Sequence, residues 1–288
     1  MRGKAISILL TAGIFGVLFF GCGGTESPEV PEPPSNLTIT FGDDDYQVIL
    51  QWDPSPSTNI EEYRIYFNSD LIGSVPAESL SFAYYPDTFG TFSVTAFTGR
   101  SESGRISAEL PASIYSDEIN LDSRVLCAFR LNNNGEYPWQ CRYSIIDYEG
   151  YDFYYGSSEN EFLADSIDFY LDTSYTLVTP YQIVNEGRWT RAFHTKFKKI
   201  ATGATRDVFD TLSVAQQYDD SSFSDSVRVD VGDIVEIVAF RDNPPGANSD
   251  KIYALAYIYE KGRTPDLDHP YIKLSLITQS TFNFRLLR

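Results

Sequence analysis

Val48-Ile49-Leu50-Gln51-Trp52, Tyr63-Arg64-Ile65-Tyr66-Phe67 and Phe92-Ser93-Val94-Thr95-Ala96 are the stretches whose reading decides the fold. In each, large apolar side chains recur at every second position, the period of a β-strand with one buried face. Weaker signals of the same kind lie between and around them: Leu37 to Phe41, Leu71-Ile72, Leu80-Ser81-Phe82 and Arg105 to Leu110. Turn residues separate them, among them the acidic run Gly42-Asp43-Asp44-Asp45 and the Pro/Ser segment after Trp52. Seven short strands in about 75 residues predict an antiparallel β-sandwich.

The same residues carry a resemblance. Pro34 with Leu37 looks like the opening of a fibronectin type III domain, Trp52 matches the buried tryptophan at the end of its second strand, and Tyr63 to Tyr66 match its third. Phe92 to Ala96, followed by Ser101-Glu102-Ser103-Gly104, is similar to its sixth strand and the turn beyond. The resemblance covers residues 36–111, roughly a quarter of the chain. Phe92 stands where the family usually has Tyr, so the hydrogen bond of the tyrosine corner is lost. The resemblance implies a spacer or adhesion module with Trp52, Tyr63 and Phe92 in its core. Three consecutive acids lack the alternate spacing of a calcium loop, so Asp43, Asp44 and Asp45 are expected at a solvated hairpin tip.

Residues 112–288 keep no helical period over any long stretch. Strands are expected at Val125 to Phe129, Cys141 to Ile145, Ser166 to Leu171, Ala192 to Phe197, Val227 to Val231, Ile234 to Val238, Ile252 to Ile258, Tyr271 to Ile277 and Phe282 to Leu286. About nine strands predict a second, larger β-sandwich or jelly-roll-like domain. The whole chain is thus expected to be all-β, and its 20 Tyr and 20 Phe suit pleated, half-buried surfaces.

Chemistry is sparse in this half. His194 and His269 lie in different segments without metal-ligand spacing. No nucleophile elbow or phosphate-cradling glycine loop appears. Acid pairs such as Asp165/Asp168 and Asp266/Asp268 arise by chance among 40 carboxylates. No catalytic residue, metal site or cofactor is therefore assigned. The densest aromatic cluster contains Tyr148, Tyr151, Tyr154 and Tyr155 beside Glu149 and Asp152. Such a group can stack on sugar rings while carboxylates bind hydroxyls. Alternate core packing with some tyrosines exposed is the more ordinary account of the pattern. Asp242, Asn243, Asn248 and Asp250 share a loop that could line a cation site.

Cys127 and Cys141 flank Asn132-Asn133-Asn134-Gly135, a strong turn signal. A hairpin centred on Asn134 pairs residues whose numbers sum to 268, which sets 127 opposite 141. Directly opposed residues bring Cβ atoms close to disulfide geometry. A turn centred one half-residue later would spoil the match, and two buried thiols acting as small apolar groups are the alternative.

Residues 1–21 carry Arg2 and Lys4, an uncharged apolar run from Ala5 to Phe20, and Gly21 before Cys22. This is the plan of a secretory signal, with an apolar stretch short for a spanning helix. Leu18-Phe19-Phe20-Gly21-Cys22 resembles the bacterial lipobox, with Phe19 where the family prefers Leu. The resemblance implies a diacylglycerol on Cys22 and cleavage before it. An ordinary cleaved signal or an uncleaved anchor helix would leave Cys22 unexplained. Gly23 resembles outer-membrane sorting, since inner-membrane retention usually has Asp there. Residues 22–35, rich in Pro and Glu, read as an extended tether reaching roughly 40 Å.

The formal net charge is −18, and −20 after removal of Arg2 and Lys4. Such a chain repels phosphate backbones, which argues against nucleic acid, and anionic lipid, so the membrane partner must be held by the lipid on Cys22. The expectation is a lipid-anchored, extracytoplasmic cell-envelope protein displaying two sandwiches for binding, adhesion or structure, with a glycan or another envelope protein as partner. The alternative is a carbohydrate-binding accessory protein or a divergent polysaccharide-active enzyme.

Overall fold

The computed structural model describes residues 29–122, 126–129, 139–140, 168–185, 187, 190–242, 249–263, 270–279 and 281–288. The chain is all-β. Its first sandwich consists of β1 (Ser35–Phe41), β2 (Val48–Asp53), β3 (Glu62–Phe67), β4 (Asp70–Pro76), β5 (Ser81–Tyr84), β6 (Thr91–Phe97) and β7 (Ile106–Glu109). One sheet has the order β1-β2-β5 and the other β4-β3-β6-β7. This three-plus-four division is the antiparallel sandwich expected from the sequence. Alternation fills the space between the sheets. Val48, Leu50 and Trp52 face Tyr63, Ile65, Phe92 and Val94, all of them buried. The Trp52 ring meets Tyr63 edge-on at 5.6 Å, and Phe92 packs on Phe67 at 4.6 Å.

The chain then enters β8 (Ile114–Asp122), β9 (Leu126–Phe129), β10 (Trp139–Gln140), β11 (Phe169–Leu171), β12 (Thr176–Val178), α1 (Tyr181–Asn185), β13 (His194–Ala201), α2 (Arg206–Thr211), β14 (Ser226–Arg228), β15 (Ile234–Phe240), β16 (Lys251–Arg263) and β17 (Pro270–Thr278). These make two five-stranded sheets, β10-β9-β11-β12-β14 and β13-β15-β16-β17-β8. The second is buried on both faces at its centre. On one side Val235, Ile237, Ala254 and Ala256 pack against Phe169, Leu171 and Leu177 of the partner sheet. On the other, Val238, Phe240, Tyr253 and Leu255 lie under Phe209 of α2, Ala215, Phe223 and Leu287. Double-sided burial explains why β15 reads Ile-Val-Glu-Ile-Val-Ala-Phe instead of alternating.

Three expectations need correction. Val227–Val231 and Ile234–Val238 flank a real turn, with the Asp233 amide donating to the Asp230 carbonyl at 3.1 Å. The strand expected over Val227 to Val231 ends at Arg228, and β14 pairs with β12 while β15 pairs with β13 and β16. The turn carries the chain from one sheet to the other, and Gly232 is fixed by it. Its φ is +84°, and a Cβ there would lie 2.7 Å from Gly203 Cα. Second, Phe282 to Leu286 is not a strand, and only Leu286 forms a bridge, to Val214. Third, part of the tether is not free. The Glu32 amide donates to Ser57 Oγ at 2.8 Å, and Pro31 and Pro34 are buried.

The C-terminal segment instead joins the two sandwiches. Phe284 and Leu286 are fully buried in the core of the first one, and Phe284 stacks on Phe41 at 4.3 Å. The Asp43–Asp45 turn, expected in water, is part of the junction. Asp45 is only 6% exposed; Lys251 Nζ lies 2.8 Å from its carboxylate, which also accepts the Tyr253 hydroxyl. Its carbonyl accepts the Arg285 amide at 2.8 Å, and Arg285 Nε donates to the Asp44 carbonyl at 2.9 Å.

β9 and β10 pair as Phe129 with Trp139 and Ala128 with Gln140, the register whose numbers sum to 268. Cys141 lies outside the described residues. We propose that the same register continues by one residue and allows a Cys127–Cys141 disulfide, closing a loop of about 15 residues and stabilising by roughly 3 kcal/mol. Mass spectrometry of protein expressed in an oxidising compartment and alkylated without reduction should find neither cysteine modified. Two alkylated thiols would contradict it.

Candidate functional site

A cluster of titratable side chains lies on the outer face of β13 and β15. Strand alternation puts His194, Lys196 and Lys198 on the face opposite Thr195 and Phe197, which point inward. In the register with β15 they sit beside Phe240, Val238 and Glu236. The segment Ala215 to Asp225 covers this face. It is tied to the edge of β13 by reciprocal backbone bonds between Phe197 and Ser224, at 2.8 and 2.9 Å.

His194 is packed and not a free surface residue. Its ring lies 4.3 Å from that of Tyr181 at 30°, and Nε2 is 3.1 Å from Asp225 Oδ1. Burial pushes its pKa down, outweighing the neighbouring Asp225 carboxylate. Lys196 Nζ bridges Asp225 at 3.1 Å and Asp220 at 3.4 Å. Asp220 is held below its ordinary range by the hydroxyl of Tyr218, which donates to it at 2.6 Å, and by Lys196. Lys198 Nζ donates to Gln216 Oε1 at 2.6 Å and Ser222 Oγ at 3.2 Å. The charged groups of the cluster therefore pair with one another. They fasten the covering segment to the sheet, and the histidine is paired with a carboxylate.

Glu236 is, with His194 Nδ1, an exception to this compensation. It is 2% exposed, Oε1 accepts the Gln216 amide at 2.7 Å, and Oε2 is buried with no hydrogen-bond partner. Burial pushes its carboxyl upward, against the pull of the Gln216 amide, Lys198 and Arg285. Asp168, fully buried, is also pushed upward by burial, while Arg241 clamps both of its oxygens. That pair ties the end of β15 to the start of β11.

Most of the residues singled out from the sequence cannot be placed in this site. Tyr148, Tyr151, Tyr154, Tyr155, His269, Asp165, Asp266 and Asp268 lie outside the described residues, as do Cys22, Asn243 and Asn248. Asp250 is described and accepts a hydrogen bond from Asn283 at 3.0 Å. No group of three or more metal-ligating side chains occurs among the described residues. Glu236 and Asp45 were not singled out for burial. A charged residue in the middle of an apolar strand is a visible signal for Glu236, whereas Asp45 is buried only through a contact more than 200 positions away.

No family model matches the chain, and no curated protein matches it. Solved structures do. A fibronectin type III structure described as FN3tt mut is 23% identical over 28% of this chain and 96% of its own, with a TM-score of 0.25. The two-domain fibronectin type III segment of chicken tenascin is 14% identical over 78% of this chain and 98% of its own, with a TM-score of 0.27. The spore cortex lytic enzyme SleM of Clostridium perfringens is 17% identical over 28% of each chain, with a TM-score of 0.25. This chain thus spans just over a quarter of the length of that enzyme.

Glu236→Gln should stabilise the protein at neutral pH, since it keeps the acceptor for the Gln216 amide and removes a buried charge. A carboxyl with a raised folded-state pKa favours the folded state below its ordinary value of 4.5 and loses that contribution as pH rises through the folded value. The advantage of the variant, measured by denaturant unfolding, should therefore be larger at pH 7 than at pH 4. An equal difference at both would show that Glu236 is not buried as a charge.

Proposed function

We propose that this chain is a cell-envelope lipoprotein whose first sandwich is a short, stiff support and whose second is the part displayed for binding or adhesion. The observation that supports it best is the junction. A fibronectin type III sandwich joined to its neighbour through a shared apolar core and a buried ion pair is suited to holding that neighbour at a fixed distance and angle. Flexibly linked domains have neither feature, and their relative motion is the default. The net charge of −18 fits a soluble, extended presentation that repels anionic surfaces. The anchor would be the lipid on Cys22, with cleavage before it, and the destination the outer membrane.

The partner would be a glycan or another envelope protein, met by the second sandwich. The aromatic residues Tyr148, Tyr151, Tyr154 and Tyr155 are the first to test by substitution on a glycan array. The anchor itself is tested in cells. Replacing Cys22 with Ser should abolish incorporation of a fatty-acid analogue and move the protein from the membrane to the soluble fraction. Undiminished labelling of that variant would refute the lipid anchor.

A further inference from the structure

The two ends of the first sandwich have different occupants. β1 runs from Ser35 to Phe41, and the antiparallel pairing of β1 with β2, β3 with β6 and β6 with β7 fixes which turns share an end. The turn from Gly42 to Gln47 lies at the end reached by Phe41, where Phe284, Lys251 and Arg285 of the second sandwich engage. The turns 54–61 and 98–105 lie at the opposite end, where β1 begins.

That opposite end holds the chain that precedes β1. Ser101 Oγ donates to the Glu29 carbonyl at 2.8 Å. The Glu32 amide donates to Ser57 Oγ at 2.8 Å, and Ser55 Oγ donates to the Glu32 carbonyl at 2.6 Å. Pro31 is buried between these contacts and Pro34 just beyond them. Proline suits such a strap, because it is already extended and loses little freedom on docking. The strap crosses from one turn to the other and fixes the path of the chain back to Glu29.

We infer that the strap orients the molecule, turning the end of the first sandwich that carries Ser55, Ser57 and Ser101 toward the lipid surface and the second sandwich away from it. The inference rests on the lipid anchor at Cys22 proposed above. Seven Cα steps separate Cys22 from Glu29, a reach of at most about 25 Å, against about 45 Å for the thirteen steps to Ser35 if the strap were loose. The docked strap therefore keeps that end close to the head groups. β1 adds seven residues, about 23 Å, before the junction is reached. β15 and β16 run away from that contact: Lys251 pairs with Phe240 beside it, and Ile234 with Tyr257 six residues along the pair.

The experiment uses the full lipidated chain in liposomes carrying a head-group energy-transfer acceptor. A donor is placed by bio-orthogonal labelling at Thr58, exposed on the near end, or at Val231, exposed at the far end of the second sandwich. Transfer should be strong from Thr58 and weak from Val231. Replacing Ser55, Ser57 and Ser101 together with Ala should lower transfer from Thr58 while leaving flotation with the liposomes unchanged. Equal transfer from both positions, stronger transfer from Val231, or no effect of the triple variant would overturn the inference. Protein that does not float with the liposomes at all would refute the anchor instead, and the two failures are thereby told apart.

Discussion

A carboxylate taken out of water must be met by donors or it costs several kcal/mol. Asp45 belongs to a turn of the first sandwich, and its donors, the Lys251 ammonium and the Tyr253 hydroxyl, belong to the first residues of the central strand of the second. Neither sandwich satisfies this site alone. Beside it Phe284 and Leu286 complete the first sandwich's core from the other end of the sequence. An apolar contact that requires the junction and a buried charge that requires it act together. Separating the sandwiches would leave Asp45 and Lys251 without each other and Phe284 in water. Burial also pushes the Tyr253 hydroxyl's pKa upward, with the Asp45 hydrogen bond acting in the same direction, so the donor stays protonated.

The same tail reaches the charged face of the second sandwich. The Ala215 amide donates to the Arg285 carbonyl at 2.9 Å, the Arg285 guanidinium donates back to the Ala215 carbonyl, and the Leu287 amide donates to the Ser213 carbonyl at 2.6 Å. The segment from Ser213 to Asp225 is thus held by the tail at one end and by the ion pairs of Lys196 with Asp220 and Asp225 at the other. Beneath it lies Glu236. The tail thus connects the cover of the second sandwich to the core of the first.

The first sandwich was legible almost strand for strand, because one-sided burial writes period two into the sequence and each of its seven strands has a clear turn after it. Its buried Trp52, Tyr63 and Phe92 follow from the same alternation. β8 was missed because an edge strand reading Ile-Tyr-Ser-Asp-Glu-Ile-Asn-Leu-Asp carries too many polar residues for its apolar ones to stand out. β12 is only three residues long. The tail looked like a strand because Phe282, Phe284 and Leu286 alternate, and alternation cannot distinguish pairing with a neighbour from insertion into a core. The acidic turn looked solvated because charge signals exposure unless a partner distant in sequence removes it. In the candidate site the covering segment was invisible for a related reason. Its serines and aspartates have the composition of a loop, and only the lysines of β13 show why it lies down.

The most direct test of the joined core is denaturant unfolding of residues 29–288 carrying Phe284→Ala, followed through Trp52 with Trp139 and Trp189 replaced by Phe in both variant and reference. Trp52 belongs to the first sandwich and Phe284 lies far from it in sequence. The account predicts that the Trp52 transition loses about 3–5 kcal/mol of stability, the range for truncating a buried phenylalanine, and that it stays coincident with the loss of β-structure in the whole chain. A Trp52 transition unmoved by the substitution would contradict it.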